Sequence, residues 1–397
     1  MSAVSETYVP PHPSNQPFSR SDTRSLARWW WTVDHILLAC VGMLILIGVG
    51  LSFASSPAAA ARMNVGDPLH FAIRQSAFAA GAAVVVVLTS LLSPRGVRRT
   101  AAVTYALMIV AMAALPFIGH EAKGASRWIN IGPLGLQPSE FMKPALIVLA
   151  SWMFAEAQKG KGVPGVTIAF FLYALAVALL LLQPDFGQTI LITCAFGAAF
   201  FIAGVPLKWI AGLAAAAGAL AVGCYFAFDH VASRIQRFMS PETSDTHQVD
   251  RAAEAIAAGG LFGRGPGEGV MKRSVPDLHT DFIYSVGAEE YGLIFSLLLI
   301  GLFGTLVIRG LYKAMKLSEP YEQVAAAGLF VMVGLQALIN VAVNLHLIPT
   351  KGMTLPFISY GGSSVLAMGL TLGFALALTR RRPGAYGTAA TRTGEWS

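Results

Sequence analysis

Apolar residues run in long blocks separated by short polar interruptions, and most blocks reach the roughly 20 residues a helix needs to cross a hydrocarbon core. Read block by block, the chain predicts ten membrane-spanning helices at about 33–54, 69–92, 97–117, 139–157, 166–183, 187–203, 207–228, 282–309, 324–346 and 358–379. The expected fold class is an all-α polytopic membrane protein, with the membrane domain at 33–379. Trp29, Trp30 and Trp31 mark where the first block begins, because indole rings favour the headgroup level. Residues 1–32, rich in Ser, Pro and Arg and lacking periodicity, read as a disordered tail, and 380–397 as a second tail. The first block is longer than a signal-peptide core, so no leader is expected. Only Gln183-Pro184-Asp185-Phe186-Gly187 separates the fifth and sixth spans, a tight hairpin. The longest polar stretch, 229–281, falls between the seventh and eighth.

Composition agrees: 12% of the 397 residues are charged, against about 25% in soluble domains. Cys40, Cys194 and Cys224 all lie in apolar blocks, where they act as small hydrophobes and offer no disulfide framework. The net charge of +7 is a matter of topology. Outside the long loop, Lys and Arg concentrate on one side, among them Arg95, Arg98, Arg99, Lys159, Lys161, Arg309, Lys313, Lys316, Arg380 and Arg381. That side, with both termini, is expected to be cytoplasmic. A nucleic-acid partner is excluded on the same distribution. Three polar segments then face outward: 118–143, 183–187 and 229–281.

Ionisable groups at a membrane boundary are costly and usually face a cavity or a partner. Pro276–Tyr291 holds four of them, His279, Asp281, Glu289 and Glu290. Asp281 reads either as a catalytic base or as the N-cap of the next helix. Lys272 and Arg273, just before it, suit a site that holds an anion and removes a proton. In the first outer segment, Glu140 and Lys143 lie three apart on one helical face and can pair. A second reading has Lys143 and Arg127 neutralising a phosphate, with Trp128 as a stacking or lipid-facing surface. Asp185 reads as a turn-former or cap, with a cavity-lining role open. The alternating glycines Gly263, Gly265, Gly267 and Gly269 read as a flexible hinge, since no strand precedes them to make a dinucleotide site. In the last outer segment, Pro349, Gly352, Pro356, Gly361 and Gly362 imply irregular backbone at membrane depth, which requires protein or a wet cavity around it. Ser363 and Ser364 there can pack or meet a ligand.

Five segments, GASRWINIGPLGLQPSEFMK, QPDFGQT, GGLFGRGPGEGV, PDLHTDFIYSVGAEEYG and LIPTKGMTLPFISYGGSS, together resemble the SEDS family (shape, elongation, division and sporulation) across roughly 33–380. The last segment and the long N-terminal tail are more similar to its division branch than to its elongation branch. The resemblance implies ten transmembrane helices, cytoplasmic termini and a large extracytoplasmic loop between helices 7 and 8. It implies a peptidoglycan glycosyltransferase of the bacterial cytoplasmic membrane that polymerises lipid II at the division septum. A class B penicillin-binding protein transpeptidase and other division proteins are the implied partners. The family's essential aspartate falls on Asp281, its RWI tryptophan on Trp128, its QPSExxK pair on Glu140 and Lys143, and its QPDFGQT aspartate on Asp185. An inverting displacement with Asp281 as base is the expected mechanism. Arg127, Lys143, Lys272 and Arg273, or a divalent cation (Mg or Mn), would stabilise the departing pyrophosphate. The alternatives are a lipid II flippase, an elongation-type polymerase and a non-catalytic scaffold.

Overall fold

The computed structural model describes residues 25–118, 120–122, 125–131, 134–160, 162–204, 247–270, 278–349 and 352–380, with isolated positions between 211 and 226. A short helix, α1 (Ser25–Thr32), occupies part of the stretch expected to be a disordered tail, and it belongs to a unit of its own. Its first-turn Arg28 carbonyl accepts the Thr32 hydroxyl at 2.7 Å. The second unit, residues 34–379, carries everything that follows.

Its helices are α2 (His35–Arg62), α3 (His70–Ser90), α4 (Pro94–Ile118), α5 (Pro138–Gln158), α6 (Gly165–Leu182), α7 (Phe186–Ile202), α8 (His247–Gly259), α9 (Ile283–Ala314), α10 (Pro320–Asn344) and α11 (Gly362–Thr379). Seven are long and apolar enough to cross a membrane: α2, α3, α4, α6, α9, α10 and α11. α7 is apolar but shorter, and α5 carries Glu140 and Lys143 in its first two turns. Each of these nine coincides with a predicted span. The predicted span 207–228 and most of the 229–281 loop lie outside the described residues.

Boundaries shift where local chemistry overrides hydropathy. The first predicted span ends at 54, yet α2 continues through Pro57 to Arg62. Four alanines after Pro57 favour helix, and Ser56 is bonded on both sides, donating to the Pro68 carbonyl at 2.7 Å and accepting from Ala72 N–H at 3.3 Å. α11 begins at Gly362 instead of 358; a turn at 356–358, with Phe357 at φ 61°, occupies the start of the predicted span.

The all-α expectation needs one correction. Residues predicted as an irregular outer loop form a small antiparallel sheet of β1 (His120–Ala122), β2 (Ala125–Ile131) and β3 (Leu134–Leu136), in the order β1-β2-β3. β2 holds Trp128, Ile129 and Ile131, residue types that suit a strand, and it pairs Ile129 with Leu136 and Asn130 with Gly135.

The core is built on α5, α10 and α11. α5 is buried without interruption from Met142 to Ser151, and α11 from Ala367 to Thr379. A helix that is apolar all round belongs in such a centre. A smaller apolar cluster joins the ends of four helices: Ala59 and Ala60 of α2, Phe71 of α3, Phe282 and Val286 at the start of α9, and Val343 of α10, with Ala252 of α8 and Leu278. Leu278 and Phe282 tie this cluster to the turn that carries Asp281.

Candidate active site

Asp281 lies in the turn just before α9, one residue ahead of the N-cap position. The N-cap of α9 is Phe282, which makes no side-chain cap. Asp281 is instead held by its backbone: its carbonyl accepts 3.0 Å hydrogen bonds from the side-chain amides of Asn340 and Asn344. With the main chain tied down from α10, the carboxylate extends over Gly352, where a Cβ would come 3.7 Å from Oδ2. His279, two residues earlier, is packed against aromatic rings. Its ring lies 4.6 Å from that of Phe71 and 5.5 Å from that of Tyr360, and its carbonyl accepts the Tyr360 N–H at 2.8 Å.

The segment 352–361 is irregular, as Pro356 and the glycines demand, and its polar backbone is met by buried side-chain amides. Gln75 of α3 donates to the Ser359 carbonyl at 3.2 Å and accepts from Gly361 N–H at 3.4 Å. Gln336 of α10 donates to the Thr354 carbonyl at 3.0 Å, and Asn340 to that of Met353 at 2.6 Å. The hydroxyls of Thr354 and Ser364 are 3.0 Å apart. Ser363 is buried beside them, and its Oγ has no hydrogen-bond partner among the described residues.

From Gln336 the polar contacts continue inward. Its Oε1 accepts from Lys143 Nζ at 3.2 Å, and Lys143 pairs with Glu140 at 3.0 Å, both side chains almost wholly buried. Glu140 accepts the Gln188 amide at 2.6 Å, and Gln188 N–H reaches Asp185 Oδ1 at 3.3 Å. Asp185 caps α7, as its place in the turn suggested, and Arg127 Nε lies 3.9 Å from its other oxygen. Arg127 also donates to the carbonyls of Gln183 and Pro184. Burial pushes the Asp185 carboxyl above the usual carboxylate range, against the pull of Arg127. One connected network therefore joins residues from four of the five quoted segments.

Two residues with alternative expected roles are placed by this geometry. Lys143 is bonded to Glu140 and Gln336 inside the protein, the ion pair that their spacing predicted, and joins α5 to α10. Trp128 sets its indole against Gly135 of β3, where a Cβ would come 3.2 Å from Cε3, and so covers the sheet. Arg127 keeps about a third of its side chain exposed (31%) and is the described basic residue of this network that reaches the surface. Lys272 and Arg273 lie outside the described residues.

Glu289 and Glu290 sit where α9 breaks. Gly292 has φ 81°, ψ −175°, so the carbonyls of residues 289 and 290 lose their partners four residues on. Gly259–Val270 supplies replacements: Arg264 and Gly265 N–H donate to those carbonyls at 3.0 Å each, while Leu293 and Ile294 N–H donate to the carbonyls of Gly260 and Leu261 at 2.9 and 3.3 Å. Glu289, fully buried, accepts Val270 N–H at 2.7 Å. The glycine-rich stretch is thus a splice bonded into the helix, where the sequence suggested a flexible hinge. Its glycines serve close approach: a Cβ at Gly263 would strike the Glu290 carbonyl, and one at Gly292 the Gly263 nitrogen.

Gln75, Gln336, Asn340 and Asn344 were missed at the level of sequence. A signal existed: 336, 340 and 344 repeat every four residues, which places three amides on one face of an otherwise apolar helix.

Fold and site together define a polytopic membrane protein whose buried polar network gathers under one end of the helix bundle. Over residues 34–383 the chain matches the family described as cell cycle protein, FtsW/RodA/SpoVE, and it belongs to that family. It is 68% identical over 370 residues to the probable peptidoglycan glycosyltransferase FtsW of Caulobacter vibrioides, covering 93% of this chain and 95% of that one. Its identity to the protein of the same description in Halothiobacillus neapolitanus is 36% over 358 residues, 86% of this chain and 85% of that one. A solved chain from work on the structural coordination of polymerization and crosslinking by a peptidoglycan synthase complex superposes with TM-score 0.72 at 28% identity, covering 88% of this chain and 98% of that one. The rod shape determining protein RodA of Thermus thermophilus gives TM-score 0.64 at 28% identity, with 88% and 97% covered.

Proposed function

We infer that this protein is a peptidoglycan glycosyltransferase that polymerises lipid II at the division septum. The observation that carries the reading is the 68% identity, over nearly the whole chain, to a protein described as a peptidoglycan glycosyltransferase. The arrangement around Asp281 supplies the chemistry: a carboxylate whose backbone is immobilised and whose side chain extends from the turn.

Lipid II carries its disaccharide through an α-linked pyrophosphate, and the glycan product is β-1,4-linked. A single displacement inverts the anomeric carbon and needs one base. Asp281 takes the proton of the acceptor hydroxyl as its oxygen bonds to the anomeric carbon, and the pyrophosphate leaves with the electron pair of the broken C–O bond. Arg127 at the surface of the network, with Lys272 and Arg273, would neutralise that leaving group. A divalent cation could supply the same charge. Among the described residues there is no cluster of three or more His, Cys, Asp or Glu side chains to hold such an ion.

The proposed topology has ten spans with both termini cytoplasmic and the 229–281 loop and Asp281 outside; the Lys and Arg distribution supports it. The proposed partner is a class B penicillin-binding transpeptidase, in keeping with the neighbour drawn from a synthase complex. An apolar groove of about 550 Å³ between α9 and α10, lined mainly by Leu, Val, Ile and Phe side chains, is an apolar surface suited to a partner's membrane helix. Other division proteins would engage the tails.

Purified protein given lipid II, with and without the transpeptidase, tests the reading. Asp281→Asn should fold yet lose glycan polymerisation by at least about 100-fold, the lower end of what a general base contributes. A variant that still makes glycan would remove Asp281 from the mechanism, and a wild-type protein that moves lipid II across vesicles without polymerising it would favour the flippase.

A further inference from the structure

Gln336, Asn340 and Asn344 are 1%, 1% and 0% exposed, on a helix whose other buried residues are almost all apolar. A primary amide at such depth is costly unless every polar atom is bonded. Each of the three donates to backbone carbonyls of irregular segments, and two of them converge on the same atom, the carbonyl oxygen of Asp281. Asn340 does more than its neighbours: its one amide nitrogen bonds both the Asp281 carbonyl, at 3.0 Å, and the Met353 carbonyl, at 2.6 Å. Met353 follows Gly352, the residue over which the Asp281 carboxylate extends. A single nitrogen therefore sets the gap between the two segments that flank the carboxylate.

Asn344 removes the remaining freedom. Its Oδ1 accepts Ser285 N–H in the first turn of α9 at 3.3 Å, and its Nδ2 bonds the Asn340 carbonyl at 2.9 Å as well as Asp281. The turn thus cannot rotate about the α9 axis without breaking bonds to α10. We propose that Asn340, backed by Asn344, is the positioning residue for Asp281, holding the base turn and the 352–354 segment in the register that proton abstraction requires. This rests on the reading of Asp281 as the general base. Neither amide touches the carboxylate, so the effect passes through the main chain. Displacement of a reacting group by about 1 Å is enough to lower a rate 100-fold.

The test is steady-state polymerisation of lipid II by the full-length protein with its transpeptidase partner, for wild type, Asn340→Ala, Asn344→Ala and Asp281→Asn. Asn340→Ala is expected to lower kcat about 10- to 100-fold while KM for lipid II stays within about twofold, because binding surfaces are untouched and only the base moves. Asn344→Ala, which leaves both bonds of Asn340 in place, should give a smaller loss of kcat with the same unchanged KM, and it carries the test if Asn340→Ala does not fold. A purely structural role would reduce the amount of folded enzyme and leave kcat per folded molecule at the wild-type value; that result overturns the proposal. Asp281→Asn separates the two levels. If it is inactive while both asparagine variants keep wild-type kcat, only the positioning inference fails, and if it remains active the general-base reading fails first.

Discussion

Lys143 shows how a residue's role turns on its neighbours. From α5 alone, the three-residue spacing to Glu140 predicts an ion pair, and the pair forms at 3.0 Å. Its second contact, Gln336, comes from α10, nearly two hundred residues away in the chain. A buried pair stripped of one member leaves an uncompensated charge, which costs about 3–5 kcal/mol, whereas replacing both members can be nearly neutral. Lys143→Met is therefore expected to destabilise the protein by about that amount in thermal unfolding of the detergent-solubilised chain, and Glu140→Gln combined with Lys143→Met to recover most of it. Retained lipid II polymerisation in the double variant would confirm that the pair orders the bundle and does not hold the pyrophosphate. The same dependence on partners explains why Asn340 and Asn344 escaped notice. Their spacing was visible, but the carbonyls they bond belong to segments that only the fold brings beside them.

For the elements, the break in α9 is the most informative case. Hydropathy predicts a single span there, and the helix does run from Ile283 to Ala314, but Gly292 interrupts it and Gly259–Val270 completes its hydrogen bonds. Backbone groups at membrane depth must be satisfied within the protein. The glycines that looked like a hinge are thus the places where two main chains touch. Gly263→Ala meets both a left-handed φ of 82° and the Glu290 carbonyl, so it should loosen the junction. Faster amide hydrogen exchange at Leu293 and Ile294 than in wild type is the expected signature. Gly301→Ala, in regular helix with open space around it, should leave exchange unchanged and be neutral or slightly stabilising. An equal response from both would mean that the splice is not structurally required.

Across the whole molecule, the two ends of the bundle are held by different means. At the end that carries Asp281 the helix ends meet in an apolar cluster and an amide network. At the other end Asp34 caps α2, accepting Ile36 and Leu37 N–H at 3.1 Å, and binds Arg309 through two 2.8 Å bonds and Lys313 at 2.9 Å near the end of α9. Burial pushes the Asp34 carboxyl upward, but the hydrogen bonds from Arg309 and Lys313 outweigh it and hold the group well below the usual carboxylate range. A carboxylate depressed on folding stabilises the fold above its unfolded pKa, about 3.9, and loses that contribution as pH falls through its folded value. Asp34→Asn should accordingly lower the melting temperature at pH 7, with the gap to wild type narrowing as the pH is taken below about 4. A gap independent of pH would show that the capping bonds, not the ion pairs, carry the effect.

The sequence by itself determined the class of protein, the places of nine helices and the segments that bear the chemistry. Hydrocarbon solvates no polar group, so each span had to be written locally as an apolar run, and hydropathy alone recovers it. Tertiary structure decided what the polar residues do: that Asp281 is held by its carbonyl instead of capping a helix, that Lys143 faces inward, and that a glycine-rich loop mends a broken helix. These outcomes rest on hydrogen bonds between groups far apart in the chain. Such bonds are specific to distance and direction, and neither is set until the helices have packed.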